Sequence, residues 1–298
     1  MAFTLSNLLI EAYKELGQLT VSTATGGSTT TIVDSKQASI HGDNSWKEGG
    51  VFILRDAGGA NAAPEGEFKR CSAFTDSTGT FTAESVFTAA PASGDTYGFV
   101  SEYYPLFTML ELANSALYAL GDIPLVDTTT LTTAAAQTEY AASVAWKRRP
   151  PYRVDIQSIT NDSNNNRWVT LHGWEYIPAT AGSTGLIVFN EQPPTSRKLR
   201  IWYKDVHPTL TAYSSTLYEG WPPSLAHWAV VVKALEWQNA RSGGSEAFLL
   251  DKLNKSEQKL AEARALEPVW KPKSHPRLLI LSDADNTANQ DYFTYPSA

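Results

Sequence analysis

Five histidines could bind a metal or transfer a proton near neutral pH: His41, His172, His207, His227 and His275. No two of them have the spacing that zinc sites use on a helix or a hairpin. His207 and His275 each precede a proline, where an extended turn is expected. His227 lies in a predicted helix, which favours a half-buried helix residue over a ligand. The histidine pattern therefore predicts no metal site.

Pairs of carboxylates could act as the acid and base of a glycosidase. Asp95 with Glu102 and Asp155 with Glu175 are such pairs. A chain with 31 acidic residues offers many, so the pairs carry little information.

The segment 162–166, DSNNN, begins like a calcium-binding loop. Arg167 stands where that loop needs a glycine, and no acidic residue closes it. We expect a hairpin turn instead, because asparagine readily adopts left-handed backbone conformations.

Nucleophilic and phosphate-binding motifs complete the search for chemistry. The chain has no GxSxG motif, and the glycine pairs of the β region 18–101 lie between predicted strands rather than at helix starts. Ser224 and His227 share a predicted helix, but Ser224 is better explained as its N-cap. The sequence thus predicts no catalytic residue, no metal ligand and no cofactor.

The charge of the chain bears on its partners. The net charge is −7, without the basic excess of proteins that hold nucleic acid by its phosphates. An acidic wall repels phosphates, as a DNA conduit should. The basic cluster Lys147–Arg149 fits either an acidic partner or a solvated turn. Cys71, the single cysteine, permits no internal disulfide.

The N-terminal residues and the hydropathy predict where the chain is made. Residues 1–16 carry no basic segment before their apolar residues, so they do not resemble a signal peptide. No apolar run approaches the roughly 18 residues of a membrane span. We expect synthesis in the cytoplasm and no membrane association.

Helical and β-type patterns alternate along the chain, which predicts the α+β class. Residues 1–17 and 102–126 show helical spacing of apolar residues and are expected to pack with 221–267. Residues 18–101 contain five or six short β-prone runs separated by turns, which predicts an inserted antiparallel barrel or sandwich. Residues 137–215 predict a second antiparallel β body.

Residues 221–267 read as two antiparallel helices joined by Gly243–Gly244. The last segment, 268–298, contains four prolines and suits neither a helix nor a buried strand. It is predicted to be an arm that docks on another subunit or protein, with folding back on its own body as the alternative. Its expected docking residues are Leu278, Leu279, Ile280, Leu281, Tyr292, Phe293 and Tyr295.

This organisation resembles that of head-to-tail connector (adaptor) proteins from the neck of tailed bacteriophages. The resemblance rests on the opening helix MAFTLSNLLIEAYKELG, the β module GGVFILRDAGG to APASGDTY, and the late helix pair SLAHWAVVVKALEWQNARSGGSEAFLLDKLNKSEQKLAEARAL. The two β regions depart from the smaller adaptors, which are mostly helical bundles.

The resemblance implies a virion ring, typically of twelve copies, at the head–tail junction. The ring would continue the DNA channel below the portal protein without binding DNA specifically. The helices would form the ring wall, the β parts would project outward or contact the next neck or tail protein, and the arm would reach into the portal. No cofactor is implied.

Two other functions remain open from the residues. A glycan-binding tail or baseplate protein would use exposed aromatic side chains to stack on sugar rings, and the candidates are Trp168, Trp174, Tyr176, Trp202 and Tyr203. The alternative for these residues is an ordinary strand core. A virion-associated hydrolase is the third hypothesis, after the connector and the glycan-binding protein, and no motif supports it.

Overall fold

A computed structural model of the chain describes residues 3–59, 62–143, 146, 150–158, 168–180, 184–244 and 246–266. This part of the chain forms four helices and three antiparallel sheets, so the predicted α+β class is confirmed. The predicted arm at 268–298 lies outside the described residues. So do the basic cluster at 147–149 and the asparagine-rich segment at 162–166.

The helices are α1 Leu5–Glu15, α2 Leu106–Ala119, α3 Pro223–Arg241 and α4 Ala247–Leu266. Thr4 caps α1, because its Oγ1 accepts the Asn7 amide at 3.3 Å. The predicted cap of α3 is wrong. Pro222 occupies that position and Pro223 begins the helix, so Ser224 lies inside the first turn.

Helix α3 is the centre of the helical core. It packs against α1, α2 and α4, whereas α1 and α2 contact each other much less than either contacts α3. Fully buried leucines of α1, among them Leu5 and Leu8, join α3 residues such as Val230 in this core. The apolar spacing after Ser245 predicts that Leu249 and Leu250 both point inward. Leu249 is buried, but Leu250 is 39% exposed, so its predicted inward position is wrong.

The first β region is a seven-stranded antiparallel sheet, in the order β1-β7-β4-β5-β6-β3-β2. Its strands are β1 Thr20–Thr23, β2 Gly26–Ser28, β3 Thr31–Val33, β4 Gly50–Arg55, β5 Phe68–Thr75, β6 Thr80–Ala83 and β7 Thr96–Val100.

The two edge strands of this sheet are successive parts of one chain run, so the sheet closes into a barrel. The Ala24 amide donates to the Asp95 carbonyl at 2.8 Å, beside β7. The next amide, of Thr25, donates to the Val33 carbonyl at 2.7 Å, on β3. Consecutive amides of an extended chain point to opposite sides, so β7 and β3 flank this run on its two edges. The barrel interior is filled by aromatic rings.

The second β region consists of two sheets. A four-stranded sheet has the order β11-β10-β14-β8, and a three-stranded sheet has the order β12-β13-β9. The strands are β8 Ile123–Asp127, β9 Glu139–Ala141, β10 Arg153–Gln157, β11 Trp168–Leu171, β12 Trp174–Ile177, β13 Leu186–Phe189 and β14 Leu199–Asp205. Inner residues of both sheets share one core, which includes Val154, Leu199 and Ile187, so this region is a sandwich.

Two segments differ from their predicted places. The alternating run 167–177 predicts one strand, but its described residues, 168–177, divide into β11 and β12 of facing sheets. Gly173 between them adopts φ +69°, a left-handed conformation that lets the chain cross from one sheet to the other. Strand β8 begins within 102–126, which was expected to belong with the helices, and it pairs with β14 of the sandwich.

Candidate functional surface

The outer face of the four-stranded sheet carries interleaved aromatic and charged side chains. Arg153 on β10 is directly opposite Trp202 on β14, and Asp155 is opposite Arg200. The residues between them, such as Val154, point inward to the sandwich core. We call this group the Trp/Arg face, and its members are Tyr152, Arg153, Asp155, Trp168, Arg200, Trp202 and Lys204.

Asp155 organises the Trp/Arg face. Its side chain is fully buried. Its Oδ1 accepts hydrogen bonds from Arg153 Nε at 2.7 Å and Thr170 Oγ1 at 2.9 Å, and its Oδ2 accepts one from Trp202 Nε1 at 2.8 Å. Both carboxylate oxygens are thus already engaged within the sheet. Asp155 therefore fixes the side chains around it and is not presented as a free acid or base.

Cations lie over three aromatic rings of the Trp/Arg face. Arg200 Cζ is 4.1 Å from the centre of the Trp168 ring, and Arg153 Cζ is 5.4 Å from that of Trp202. Lys204 Nζ is 5.9 Å from the centre of the Tyr152 ring. Burial lowers the pKa of Arg200, against the opposing effect of Asp155. Tryptophan and arginine held rigidly in this way are the residue types that dominate binding energy at protein interfaces.

The charged members of this face were not predicted from the sequence. The aromatic residues alone were expected as binding residues, and Asp155 was expected only as half of a carboxylate pair. A usable signal was present in the strand RKLRIWYKD: Arg200, Trp202 and Lys204 recur at every second position, which places them on one face of a strand.

The five aromatic residues expected to bind sugars fall into two groups. Trp174, Tyr176 and Tyr203 pack against the sandwich core, so the ordinary strand-core reading applies to them. Trp168 and Trp202 lie instead on the Trp/Arg face. All five rings are partly exposed, but these two do not pack against the sandwich core.

Charge is divided unequally between the two β regions. The barrel, from 20 to 100, contains nine acidic and five basic residues, for a net charge of −4. The sandwich, from 123 to 205, contains seven acidic and nine basic residues, for a net charge of +2. By sequence, the segment 123–205 is therefore the basic part of a protein of net charge −7. Four of its basic residues, Lys147, Arg148, Arg149 and Arg167, lie outside the described residues.

The predicted carboxylate pairs do not form an acid–base site. Asp95 is buried and accepts the amides of Ala57 and Ala92, each at 2.8 Å, so it holds loops of the barrel. Asp155 and Glu175 lie on opposite sheets of the sandwich, and Glu175 is exposed.

The described histidines, His41, His172, His207 and His227, take part in no metal-binding cluster. No cluster of three or more His, Cys, Asp or Glu suited to a metal ion occurs among the described residues. His207 is buried, stacks on Trp221, and accepts the Tyr218 amide with Nε2 at 3.1 Å. The proton of the neutral ring is therefore on Nδ1, which donates to the Pro208 carbonyl at 2.8 Å. This histidine joins the sandwich to the start of α3.

An open cleft of about 380 Å³ lies where the barrel meets α2 and the loop 211–213. Phe107 forms part of its wall and is 63% exposed. Arg70, also in the wall, pairs with Glu48 and Glu84 at 2.5 Å each. The cleft thus exposes apolar surface, and the charge of Arg70 in its wall is neutralised by the two glutamates.

Within the described residues, no helix combines the length and the apolar character needed to cross a membrane. Comparison of the chain with protein-family models gives no match, and comparison with curated protein sequences gives none either.

Proposed function

We propose that this protein is a structural, non-catalytic virion subunit. It assembles into a homo-oligomeric ring at the head–tail junction of a tailed bacteriophage. The resemblance to adaptor proteins implies a ring of twelve copies. The ring continues the DNA channel below the portal protein and supports the next neck or tail protein. The observation that carries the proposal is the division of charge between the acidic barrel and the basic sandwich.

Opposite charges on two separate bodies of one subunit favour head-to-tail contact between copies. The negative barrel of one copy is attracted to the positive sandwich of the next, and identical bodies repel each other. A contact between two different surfaces repeats at every subunit, and it closes into a ring when the rotation per subunit permits. The Trp/Arg face gives the sandwich rigid anchors for such a contact.

Other features agree with a channel-forming assembly. The net charge of −7 disfavours adhesion of DNA to the wall. Apolar side chains are exposed on the helices, including Phe107 on α2 and Phe248 on α4, which are 63% and 74% exposed. Such residues suit coverage by neighbouring subunits. In this proposal the arm, with its apolar group Leu278–Leu281, binds the portal.

Negative-stain microscopy of purified protein and of particles tests the ring. A closed ring with a central channel is expected, and a trimeric spike would contradict the proposal. Deleting the residues after Glu267 is expected to abolish attachment to the portal while the β bodies stay folded by circular dichroism. Unchanged attachment would refute the role of the arm.

A matched pair of charge reversals tests the observation that carries the proposal. Lys198→Glu with Lys204→Glu makes the sandwich acidic and is expected to weaken assembly, as measured by mass photometry. Lys36→Glu with Lys47→Glu changes the total charge equally, but on the acidic barrel, and should leave assembly intact. All four lysines are exposed. Equal loss in both variants would show that only net charge matters.

Glycan binding is the second candidate function, supported by the two partly exposed tryptophans of the Trp/Arg face. It predicts binding to cell-wall glycans on an array, with loss on Trp168→Ala or Trp202→Ala. Trp174→Ala is the matched control, because Trp174 packs on the sandwich core. An array without binding, together with a closed ring, would remove this candidate.

A further inference from the structure

The Trp/Arg face presents a surface of defined chemistry. Arg153, Arg200 and Lys204 supply three cations, and Asp155 supplies one carboxylate that is already engaged. Beside these cations, Trp168 and Trp202 are partly exposed. A fitting occupant would carry several carboxylates, no cations, and aromatic rings to pack beside the indoles.

One segment of the same chain has this composition. Residues 278–298 contain Asp283, Asp285 and Asp291 and no lysine or arginine, for a net charge of −3. The aromatic residues of the segment, Tyr292, Phe293 and Tyr295, follow the last of these aspartates directly. Asp283 and Asp285 are two residues apart, as are Arg200, Trp202 and Lys204 along β14. In an extended chain, residues at this spacing point to the same side.

The described helices set the point from which the chain leaves toward this segment. Helix α3 begins just after Trp221, which stacks on His207, and His207 follows β14 by two residues. Helices α3 and α4 have 19 and 20 residues and pack as an antiparallel pair. The end of α4 therefore returns to the level of the first turn of α3. That turn is joined to the Lys204 end of β14 through the stacking of Trp221 on His207.

The connecting chain is long enough to complete this path. Residues 267–277 can span about 36 Å when extended, which exceeds the roughly 24 Å length of the seven-residue strand β14. A tethered segment also reaches a nearby site at a high effective concentration, so a weak contact suffices to keep it bound.

We propose that residues 282–298 occupy the Trp/Arg face of their own subunit when the subunit is not assembled. The aspartates face Arg153, Arg200 and Lys204, and the aromatic residues pack beside Trp168 and Trp202. The apolar group Leu278–Leu281 is not part of this contact. This inference goes beyond the ring and does not depend on it.

Quenching of a dye at the end of the chain tests the contact in the full-length protein. A thiol introduced by Ser297→Cys can be labelled selectively, because Cys71 is buried and burial raises its pKa to about 11. An oxazine dye at this position is expected to be quenched by indole contact at nanomolar protein concentration. Trp168→Phe with Trp202→Phe should remove most of the quenching, whereas Trp46→Phe in the barrel should not.

The charge requirement is tested by changes in the segment itself, which leave the folded bodies untouched. Asp283→Asn, Asp285→Asn and Asp291→Asn together should relieve the quenching. The matched set Glu102→Gln, Glu111→Gln and Glu219→Gln alters three exposed carboxylates elsewhere and should leave it unchanged. Raising the salt from about 0.15 M to about 1 M should also relieve it, because the Debye length falls from about 8 Å to about 3 Å.

Two outcomes would overturn the proposal. The first is a dye that is equally bright on the wild-type segment and on the triple asparagine variant. The second is that an excess of unlabelled protein relieves the quenching. Such competition would show that the segment binds a neighbouring copy rather than its own subunit. Because the measurement uses dilute single subunits, either outcome leaves the ring to be judged separately by microscopy.

Discussion

The barrel and the sandwich use aromatic residues in opposite ways. In the barrel, Phe74, Phe81, Tyr97 and Phe99 all lie inside, with neighbouring ring centres 4.7 to 5.8 Å apart. In the sandwich, Trp168 and Trp202 lie on the outside, under arginine side chains. A closed barrel has one interior to fill, whereas each sheet of a sandwich has an outer face that can take another task.

The same contrast appears in the buried carboxylates. Asp34 in the barrel accepts hydrogen bonds from neutral donors only, namely Ser22 Oγ at 2.5 Å, Tyr97 Oη at 2.9 Å and the Lys36 amide at 2.9 Å. Burial, followed by the proximity of Asp34, raises the pKa of Tyr97. In the sandwich, Asp155 binds an arginine and a tryptophan that both reach the surface.

The buried acids of the two regions serve different ends. Asp34 ties three segments of the barrel together and is shielded from solvent. Asp155 holds surface side chains in one arrangement, so that little conformational entropy remains to be lost when a partner binds. The barrel is thus organised for its own stability, and the sandwich also for contact.

The largest effect is expected in the barrel interior. Phe81 is fully buried and contacts Phe74, Tyr97 and Phe99, so Phe81→Ala should cost about 3–5 kcal/mol of unfolding free energy. Denaturation in urea measures this cost. The outer-face substitution Trp168→Ala is the comparison, and an equal loss there would contradict the contrast between the two regions.

Removing the carboxylate that organises the Trp/Arg face should be the next largest effect. Asp155→Ala leaves Arg153 and the Trp202 indole without their acceptor, and breaking such a buried pair costs about 3 kcal/mol. Urea denaturation of the variant measures the loss. Thr170→Val removes only one neutral donor to the same carboxylate and should cost about 1 kcal/mol. Similar losses in both variants would show that Asp155 is not the organising residue.

The junction between sandwich and helices should make stability depend on pH. Burial lowers the pKa of His207, so the folded state takes up a proton less readily than the unfolded chain. The contribution of neutral His207 to the free energy of unfolding is complete above the ordinary histidine pKa of about 6.5. It declines as the pH falls below that value. A protonated Nε2 could no longer accept the Tyr218 amide.

Urea midpoints between about pH 8 and pH 5 measure this dependence. Wild-type protein should lose stability on acidification more steeply than His207→Gln. Burial also lowers the pKa of His227, so that residue adds a slope of the same sign. The exposed His172→Gln is the control and should follow the wild type. Parallel curves for wild type and His207→Gln would contradict the assignment.

The smallest effect concerns reactivity rather than stability. Burial raises the pKa of the Cys71 thiol to about 11, and its side chain is inaccessible inside the barrel. We expect iodoacetamide to modify Cys71 only when the barrel opens. While the barrel is closed, the thiol should stay unmodified. Comparing the labelling rate with global unfolding shows whether the barrel opens separately from the sandwich. Rapid modification under native conditions would show that the barrel interior is accessible.

Periodicity predicted much of this fold because it reports local geometry. The spacing of Leu5, Leu8 and Leu9 identified the buried face of α1, and Gly17 and Gly121 follow α1 and α2 with φ values of +70° and +101°. The segment 167–177 was harder. A strand that changes sheets keeps its alternating pattern on both sides of the turn, so the pattern alone hides the break at Gly173.

The candidate surface was predicted only in part. The two tryptophans of the Trp/Arg face were named as exposed aromatics, but together with three others that pack on the core. A strand pattern distinguishes two faces without saying which face is inside. That choice depends on the partner sheet, which comes from distant parts of the chain.

Residue types at short range specify the α+β class, the four helices and the acidic net charge, so these features follow from the sequence. The acidic and aromatic composition of the segment 278–298, without a cation, follows from it as well. Long-range packing, in contrast, closes the barrel through β1 and β2. It also brings Arg153, Asp155, Arg200 and Trp202 together on one face. Strand pairing over about 50 residues creates that meeting, and no local pattern encodes such a pairing.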